Sequence, residues 1–262
     1  MDKIKTIILK DWAEVFKNRF VLFTVAFMPL IFTALPLGLL VAFSGSDLDA
    51  GGGDVPSQYL ATCPPELTGG ECFQVYLVTT FLILFLMLPM IIPVTIAAYS
   101  IVGEKTTRSL EPLLATPITT VELLIGKSLA AAIPAIGATW TGFLIFTIGS
   151  WIIVENPQVF SAILDPLWLL AILLVGPLMA LLSVTASVMV SSRVNDPRVA
   201  EQLSMIVIVP LLVLFFGQVT GFFIINRMII LVLAGILVVL DSILLYFAVQ
   251  LFQRETILTR WK

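Results

Sequence analysis

Charged residues are scarce in this chain, and one titratable residue type is missing altogether. Of 262 residues only 12% are charged, and there is no histidine. Histidine is the commonest metal ligand and the usual general base near neutral pH, so its absence excludes zinc motifs such as HExxH. The net charge of -3 gives no indication of nucleic-acid binding. Hydrophobic residues make up 59% of the chain, which is far above soluble globular usage and predicts a protein of the lipid bilayer.

The hydrophobic residues are concentrated in six continuous runs. A helix needs about 20 apolar residues to cross the roughly 30 Å hydrocarbon core. The runs are continuously apolar rather than alternating, which argues against barrel strands. We therefore predict an all-α membrane protein, one transmembrane domain over 1–262 with six transmembrane helices. The predicted spans are 20–43, 75–102, 128–154, 167–190, 203–225 and 228–251, and Gly217 to Arg227 is expected to be a tight turn or a partly re-entrant hairpin.

Lysine and arginine are distributed unevenly between the connections. Thirteen of the fourteen lie in the amino-terminal segment, the connection 103–127, the connection after the fourth run and the carboxyl-terminal tail. Only Arg227 lies on the other side, and the loop 44–74 contains none. Because cytoplasmic loops carry the excess of lysine and arginine, this pattern predicts a multi-pass protein of the cell membrane with both termini in the cytoplasm.

Both cysteines of the chain, Cys63 and Cys72, fall in the loop 44–74, which this topology places outside the cytoplasm. That compartment permits oxidation, so the pair is predicted to form a disulfide. Two unpaired thiols are the alternative.

Residues 1–19, before the first run, have the pattern of an amphipathic helix. Lysines and a glutamate occupy one face, and apolar side chains recur at three- and four-residue spacing on the other. The apolar residues are Ile4, Ile7, Ile8, Trp12, Val15 and Phe16. A helix with a basic polar face is predicted to lie in the headgroup plane at the cytosolic surface. A cytosolic helix packed on a partner is the alternative.

The connection 103–127 combines charged and apolar residues in a helical pattern. Glu104 and Arg108 are four residues apart, in the order that favours an ion pair on a helix. One apolar edge is formed by Leu110, Leu113 and Leu114. Thr116-Pro117 then ends the helix, because proline disfavours helical geometry in the residue before it. The pattern predicts a short helix over 103–115.

A second helix is predicted directly after this break. Thr119 followed three residues later by Glu122 is a capping box, and the apolar residues that follow lead into the third run. A short surface helix, a sharp break and a capped re-entry suit docking on another protein. A solvated loop is the alternative.

The same connection contains a longer ordered pattern. It reads Glu104-x4-Ser109-Leu110-Glu111-x-Leu113-Leu114-x-Thr116-Pro117-Ile118-Thr119-x2-Glu122-x3-Gly126-Lys127. This pattern resembles the segment between the second and third spans of type-2 ABC transporter permeases. Two other parts of the chain agree with the resemblance, which covers nearly the whole chain: Ser192-Arg193-x2-Asp196-Pro197-Arg198 and Phe252-Gln253-Arg254-Glu255.

The resemblance implies that residues 104–116 are similar to a coupling helix, through which a nucleotide-binding subunit moves the permease. The residues carried over to this role are Glu104, Arg108, Leu110, Glu111, Leu113, Leu114, Thr116, Pro117 and Glu122. The resemblance also implies an exporter in which two permeases work with two ATPases, with the substrate path between the permeases. The second permease is either another copy of this chain or a homologous chain.

A phosphate-binding loop is not predicted on this chain. Gly126-Lys127-Ser128 ends like a P-loop, but Val121 stands where GxxxxGK[ST] has its first glycine, and the segment is predicted to be helical. ATP and Mg²⁺ are therefore expected on a separate ATPase chain. This chain is predicted to be a transport subunit without a cofactor of its own and without enzymatic activity. Its expected partners are the ATPase, a second permease and the lipid bilayer, and nucleic acid is not among them.

Asp241 is the one acidic or basic residue that lies well inside a run. An acid near a helix centre costs about 2.5 to 3.5 kcal/mol on insertion, which the sixteen Leu, Ile, Val and Phe residues of this run outweigh. A neutral acid hydrogen-bonded to a neighbouring helix is predicted, and a polar or cation contact in the transport path is the alternative. A proton- or sodium-coupled carrier using Asp241 is the alternative to an ABC permease. An intramembrane enzyme would need a paired constellation, and none is visible.

Overall fold

The computed structural model describes residues 2–43, 67, 69–107, 118–222 and 224–251. All regular secondary structure within these ranges is helical. The helices are α1 (Asp2–Val15), α2 (Arg19–Phe43), α3 (Gly69–Phe85), α4 (Leu88–Thr106), α5 (Thr120–Ile153), α6 (Pro157–Ile163), α7 (Pro166–Leu170), α8 (Gly176–Ser191), α9 (Pro197–Ser204), α10 (Val209–Val219) and α11 (Arg227–Leu251). A π-helical turn, Ala171–Val175, joins α7 to α8, and a 3-10 turn, Met205–Ile208, joins α9 to α10.

In the part of the chain that the structure describes, six helical stretches are long and apolar enough to cross a membrane, which confirms the predicted fold class and number of spans. In chain order, the first to sixth spans are Arg19–Ala42, Gly70–Thr106, Val121–Ile153, Pro157–Ser191, Pro197–Val219 and Arg227–Leu251. The fifth and sixth spans are separated by a turn at Thr220–Phe222, where Gly221 has a φ of 70°. That left-handed geometry favours glycine, because a Cβ would be strained there.

The second span lies at the centre of the bundle. The most apolar window of this span is 83% buried, whereas the corresponding windows of the first, fifth and sixth spans are 22% buried. The outward faces of those three spans carry exposed large apolar side chains, among them Phe23, Ile206, Val213 and Val239. Side chains of this kind suit contact with lipid, so these three spans lie at the periphery of the bundle and the second span is enclosed by its neighbours.

The first and third spans pack closely because of a glycine in α5. A Cβ added at Gly149 would lie 2.7 Å from Leu37 Cδ1 of α2. Small residues at such positions let membrane helices approach each other, since apolar side chains gain little by leaving lipid for a neighbouring helix.

The second and fourth spans are linked by serine hydroxyl groups. Ser183 Oγ donates to the carbonyl of Pro89 at 3.3 Å, and Ser187 Oγ donates to the carbonyl of Val94 at 3.2 Å. Both serines are fully buried in α8, and both acceptors lie in α4. The polar groups of α8 are therefore directed toward the central span.

The fourth span changes its helical geometry before Pro177. Proline has no backbone N–H and so cannot donate to the carbonyl four residues earlier. In the π-helical turn that precedes Pro177, the Gly176 N–H donates to the carbonyl of Ala171, which lies five residues back rather than four. Trp140 Nε1 of α5 donates to the carbonyl of Ile172 at 3.4 Å, which ties this turn to the third span.

Cys72 lies in the first turn of α3, where it is buried and disulfide-bonded. Its predicted partner Cys63 lies outside the described residues. The pairing of these two cysteines stays a prediction.

Candidate functional site

The two ends of the connection between the second and third spans are described, and its middle is not. Glu104 and Glu122 lie within the described ranges. Outside them lie the other predicted coupling residues, Arg108, Leu110, Glu111, Leu113, Leu114, Thr116 and Pro117. A short helix over 103–115 therefore stays a prediction. Within it, the described residues Gly103 to Thr106 form the last turn of α4.

The capping box at the start of α5 is present. Thr119 Oγ1 accepts the Glu122 N–H at 3.2 Å, and Glu122 Oε2 accepts the Thr119 N–H at 2.8 Å. The helix that begins here has 34 residues, which corresponds to a length of about 51 Å. Because this exceeds the roughly 30 Å of hydrocarbon, α5 is long enough to extend beyond the membrane core.

Four charged side chains and a serine meet where α4 ends and α5 begins. We call this group the charge cluster; it consists of Lys10 and Asp11 of α1, Ser100 and Glu104 of α4, and Lys127 of α5. The side chains of Asp11 and Glu104 are each 3% exposed and that of Lys127 is 4% exposed. Three of the four charged side chains thus lie in the interior of the protein, and that of Lys10 is 34% exposed.

Lys127 is at the centre of the charge cluster. Its Nζ lies 2.7 Å from Glu104 Oε2 and 3.3 Å from Asp11 Oδ2, and it donates to Ser100 Oγ at 3.0 Å. Ser100 Oγ in turn donates to Asp11 Oδ2 at 3.0 Å. Lys127 therefore forms ion pairs with both carboxylates of the cluster and donates hydrogen bonds to Ser100 and Asp11.

Lys10 completes the charge balance of the cluster. Its Nζ donates to Glu104 Oε1 at 2.6 Å. Burial lowers the pKa of Lys10, but the hydrogen bond and the charge of Glu104 raise it, and the net result is a pKa above the ordinary value. Two lysines therefore face two carboxylates, and buried charges are tolerated only when they are paired in this way.

Gly126 explains how α1 approaches α5 closely enough to join the cluster. A Cβ at this position would lie 2.8 Å from Ile7 Cγ2, which is closer than real Cβ contacts. Ile7 itself is 4% exposed. The glycine therefore provides the space in which the Ile7 side chain is buried. Lys127, the next residue of α5, binds the carboxylate of Asp11, which lies one turn after Ile7 in α1.

α1 and α5 contact each other at successive positions along both helices. Trp12 Nε1 donates to the carbonyl of Ala130 at 2.8 Å, and Lys3 Nζ lies 3.8 Å from Glu122 Oε2. In order, the contacting pairs are Lys3 with Glu122, Ile7 with Gly126, Asp11 with Lys127, and Trp12 with Ala130. The two helices therefore run side by side in the same direction.

The buried face of α1 is used within the chain itself. Ile7 and Val15 of its apolar stripe are buried against the bundle, while Leu9 on the opposite side is 53% exposed. Much of the apolar face of α1, which was predicted to contact the membrane surface, thus packs on α4 and α5. Placement of α1 at the membrane surface stays a prediction.

A second part of the family pattern lies beside the end of α4. Lys105 Nζ donates to the carbonyls of Ser192 and Val194, at 3.3 Å each. Asp196 caps α9 by accepting the Arg198 N–H at 2.8 Å. The connection between the fourth and fifth spans is therefore held against the same end of the central span. The third part of the pattern, Phe252 to Glu255, lies outside the described residues.

Asp241 is buried in α11, and the predicted hydrogen bond to a neighbouring helix is absent. The residue is 5% exposed, and neither carboxyl oxygen has a hydrogen-bond partner. Ser183 and Ser187 of the adjacent α8 are turned toward carbonyls of α4 instead. Among the described residues the prediction of a hydrogen-bonded acid is thus wrong, and the hydroxyl groups of Ser183 and Ser187 bond to α4.

Four members of the charge cluster were not predicted to interact: Lys10, Asp11, Ser100 and Lys127. One signal was present in the sequence. Asp11 lies four residues from both Ile7 and Val15, and so it interrupts the apolar face of α1. A carboxylate on the packing face of a helix needs a buried cation, which is a reason to look for a lysine on the surface that covers it.

Comparison with known families confirms the resemblance. The family model described as ABC-2 family transporter protein matches residues 5–246, from α1 into the sixth span. A search of curated proteins gives no match. Because the family model covers nearly the whole chain, from the helix that carries Asp11 to the span that carries Asp241, the chain belongs to the ABC-2 family of transporter membrane proteins.

Proposed function

We propose that the chain is the permease subunit of an ABC exporter, driven by a separate ATPase that docks on residues 104–116. Membership of the ABC-2 family makes the chain a membrane transport component of an ABC transporter. Export, a separate ATPase and a second permease across the substrate path are the finer parts of this proposal. Both termini and residues 104–116 are proposed to lie in the cytoplasm, where ATP is found.

The observation that carries the proposal is the charge cluster at the two ends of the connection. Glu104 is in the last turn of α4, Lys127 is in the second turn of α5, and the 2.7 Å ion pair joins them. Residues 108–117 connect these two helices along the chain. A force on residues 108–117 would therefore act on both helices together.

The position of α4 indicates which part of the bundle such a force would displace. This helix belongs to the second span, which is the most deeply buried of the six. Displacement of its end would move side chains throughout the centre of the bundle, since close-packed interiors transmit strain. A docked ATPase that changes shape on ATP hydrolysis could thus change the packing of the spans.

Lys127, the lysine of the P-loop-like sequence Gly126-Lys127-Ser128, has a structural role. Gly126 and Lys127 lie inside α5, where they contact Ile7 and Asp11 of α1. A P-loop lysine instead reaches a phosphate from a loop that follows a strand. These contacts support an ATPase on another chain.

We expect charge reversal at both Arg108 and Glu111 to weaken ATPase docking while the permease remains folded. Exposed ion pairs contribute about 0.2 to 1 kcal/mol each, so losing two lowers affinity by up to roughly thirtyfold. The measurement is the amount of ATPase subunit captured by the purified permease variant.

A matched control reverses Lys5 and Glu155, two exposed residues outside the proposed docking segment that also differ in sign. This control should capture the ATPase as the unchanged permease does. Full capture by a well-folded Arg108 and Glu111 variant would count against docking on this segment.

We also expect cysteines introduced at Ser57 and Ser109 to label from opposite sides of the membrane, in a background that lacks Cys63 and Cys72. The expectation follows from the uneven distribution of lysine and arginine. An impermeant thiol reagent added to intact cells should label only position 57, and position 109 should label after the membrane is opened. Equal labelling in intact cells would refute the orientation.

A further inference from the structure

Asp241 occupies a position in the sixth span where the packing pattern calls for an apolar side chain. The buried residues of α11 are Ile230, Ala234, Leu237, Asp241 and Ala248. Their spacing places them on one stripe of the helix, which faces the bundle. Asp241 lies fourteen residues after Arg227, or about 21 Å along the helix. The carboxyl group is therefore far from both ends of the span.

The structure provides no cation for this carboxyl group among the described residues. α11 packs against α8, the π-helical turn, α7 and α5. The first three contain no charged residue. In α5, Glu122 forms the capping box and Lys127 belongs to the charge cluster, both near the first turn of that helix. Arg227 is the first residue of α11, and its guanidinium group lies 3.8 Å from Asp165 rather than near Asp241.

A charged carboxylate could not remain at this position. An ionised carboxylate buried without a cation or a hydrogen bond is so unfavourable that the group takes up a proton instead. Asp241 has neither kind of partner in the described ranges of the chain. We propose that Asp241 is a proton-binding site inside the bundle, which holds the side chain as a neutral carboxylic acid while α11 packs against α8.

The bound proton has a consequence for the packed state. A neutral carboxylic acid still has a donor and an acceptor that are buried here without partners, which is unfavourable relative to water. Asp241 therefore stabilises the packing of α11 on α8 less than an apolar residue of similar size would.

The proposal is tested by an apolar carbodiimide, which reacts with protonated carboxyl groups. The carboxyl O–H adds across one C=N bond: the oxygen bonds to the central carbon and the proton moves to nitrogen, giving an O-acylisourea. Migration of the acyl group to nitrogen then yields a stable N-acylurea. The full-length protein in membranes should carry this adduct at Asp241, as identified by mass spectrometry of its peptides.

Asp165 is the matched control, since its side chain is 47% exposed and pairs with Arg227. A water-soluble carbodiimide should modify Asp165 and leave Asp241 unmodified. With the apolar reagent, Asp241→Asn should lose the adduct in the sixth span. Equal modification of Asp241 by both reagents, or none by the apolar reagent, would overturn the proposal. The test uses the permease alone, so it is independent of ATPase docking.

Stability provides a second test. Asp241→Val removes the unpartnered polar groups and adds less volume than leucine, so its melting temperature in detergent should rise by about 2 to 4 °C. Asp241→Asn keeps unpartnered polar groups and should melt near the unchanged protein. A Val variant that melts below the Asn variant would mean that the carboxyl group has a partner in the folded protein, which would overturn the proposal.

Discussion

Replacing Lys127 by methionine is expected to destabilise the protein by about 3 to 5 kcal/mol, the usual cost of removing one partner of a buried ion pair. Methionine keeps most of the length of the side chain but cannot bind a carboxylate. Glu104 retains Lys10 at 2.6 Å, whereas Asp11 retains only the hydroxyl of Ser100. The measurement is the melting temperature of the purified permease, which should fall by about 6 to 20 °C.

A second substitution should restore most of this loss. Asp11→Asn removes the carboxylate that Lys127→Met leaves without a cation, so the double variant should melt well above the single one. This rescue distinguishes loss of charge pairing from loss of side-chain packing. No rescue, combined with normal expression, would mean that Asp11 and Lys127 do not stabilise each other.

Lys105 provides a control at the same end of α4. It donates to the backbone carbonyls of Ser192 and Val194, which water can solvate in its absence. Lys105→Met should therefore lower the melting temperature much less than Lys127→Met. Equal effects of the two substitutions would indicate a general requirement for positive charge at this end of the bundle.

The spans and the start of α5 could be predicted because their signals are local. A membrane helix is specified by about twenty neighbouring apolar residues, and a capping box by two residues three apart. Six apolar helices and the capping box are both present among the described residues, although the fifth span ends at Val219 rather than at the predicted residue 225. Neither depends on how the helices are arranged relative to one another.

The charge cluster could not be predicted in the same way. Ser100 and Asp11 are 89 positions apart, and Asp11 and Lys127 are 116 apart. In the sequence these charges are typical of a solvated cytosolic surface. Their burial depends on how α1 packs against α4 and α5, which is a property of the assembled bundle.

The hydrogen bonding of Asp241 also depends on how the helices are arranged. Its burial could be predicted from the apolar run around it, but its hydrogen bonding could not. The serines of α8 were available in the sequence as donors, yet Ser183 and Ser187 bond to carbonyls of α4. Which of two neighbouring helices a hydroxyl group faces is decided by the rotation of the helix, and a continuously apolar span gives little information about its rotation.

The structure also gives a physical reason for the Gly-Lys pair that ends the family pattern. Gly126 makes room for Ile7, and Lys127 binds Asp11. Both residues thus hold α1 against α5, and they do so directly after the segment proposed to bind the ATPase. The amino-terminal helix is therefore attached to the same structural unit as the two ends of that segment.

Replacing Gly126 by alanine is expected to displace α1 and to cost about 1 to 3 kcal/mol, the usual range for overpacking. The added Cβ would lie 2.8 Å from Ile7 Cγ2 and 3.0 Å from Ile7 Cβ, so a rotation of the distal Ile7 side chain alone does not remove the overlap. The α1 backbone must move, and that movement also separates Asp11 from Lys127. The measurements are melting temperature and hydrogen exchange of the α1 amides, which should become faster.

Two further variants make the Gly126 experiment specific. Ile7→Ala in the Gly126→Ala background removes the Cγ2 that causes the closest contact, so it should restore part of the protection of α1. Gly137→Ala is the control in the same helix, because a Cβ there meets nothing within 4 Å. Alanine is the better helix former, so this control should stabilise the protein by about 0.5 to 1 kcal/mol. If Gly126→Ala behaved like Gly137→Ala, with α1 amides as protected as before, then the close packing of α1 on α5 would be refuted, because a helix in that position has no room for the added methyl group.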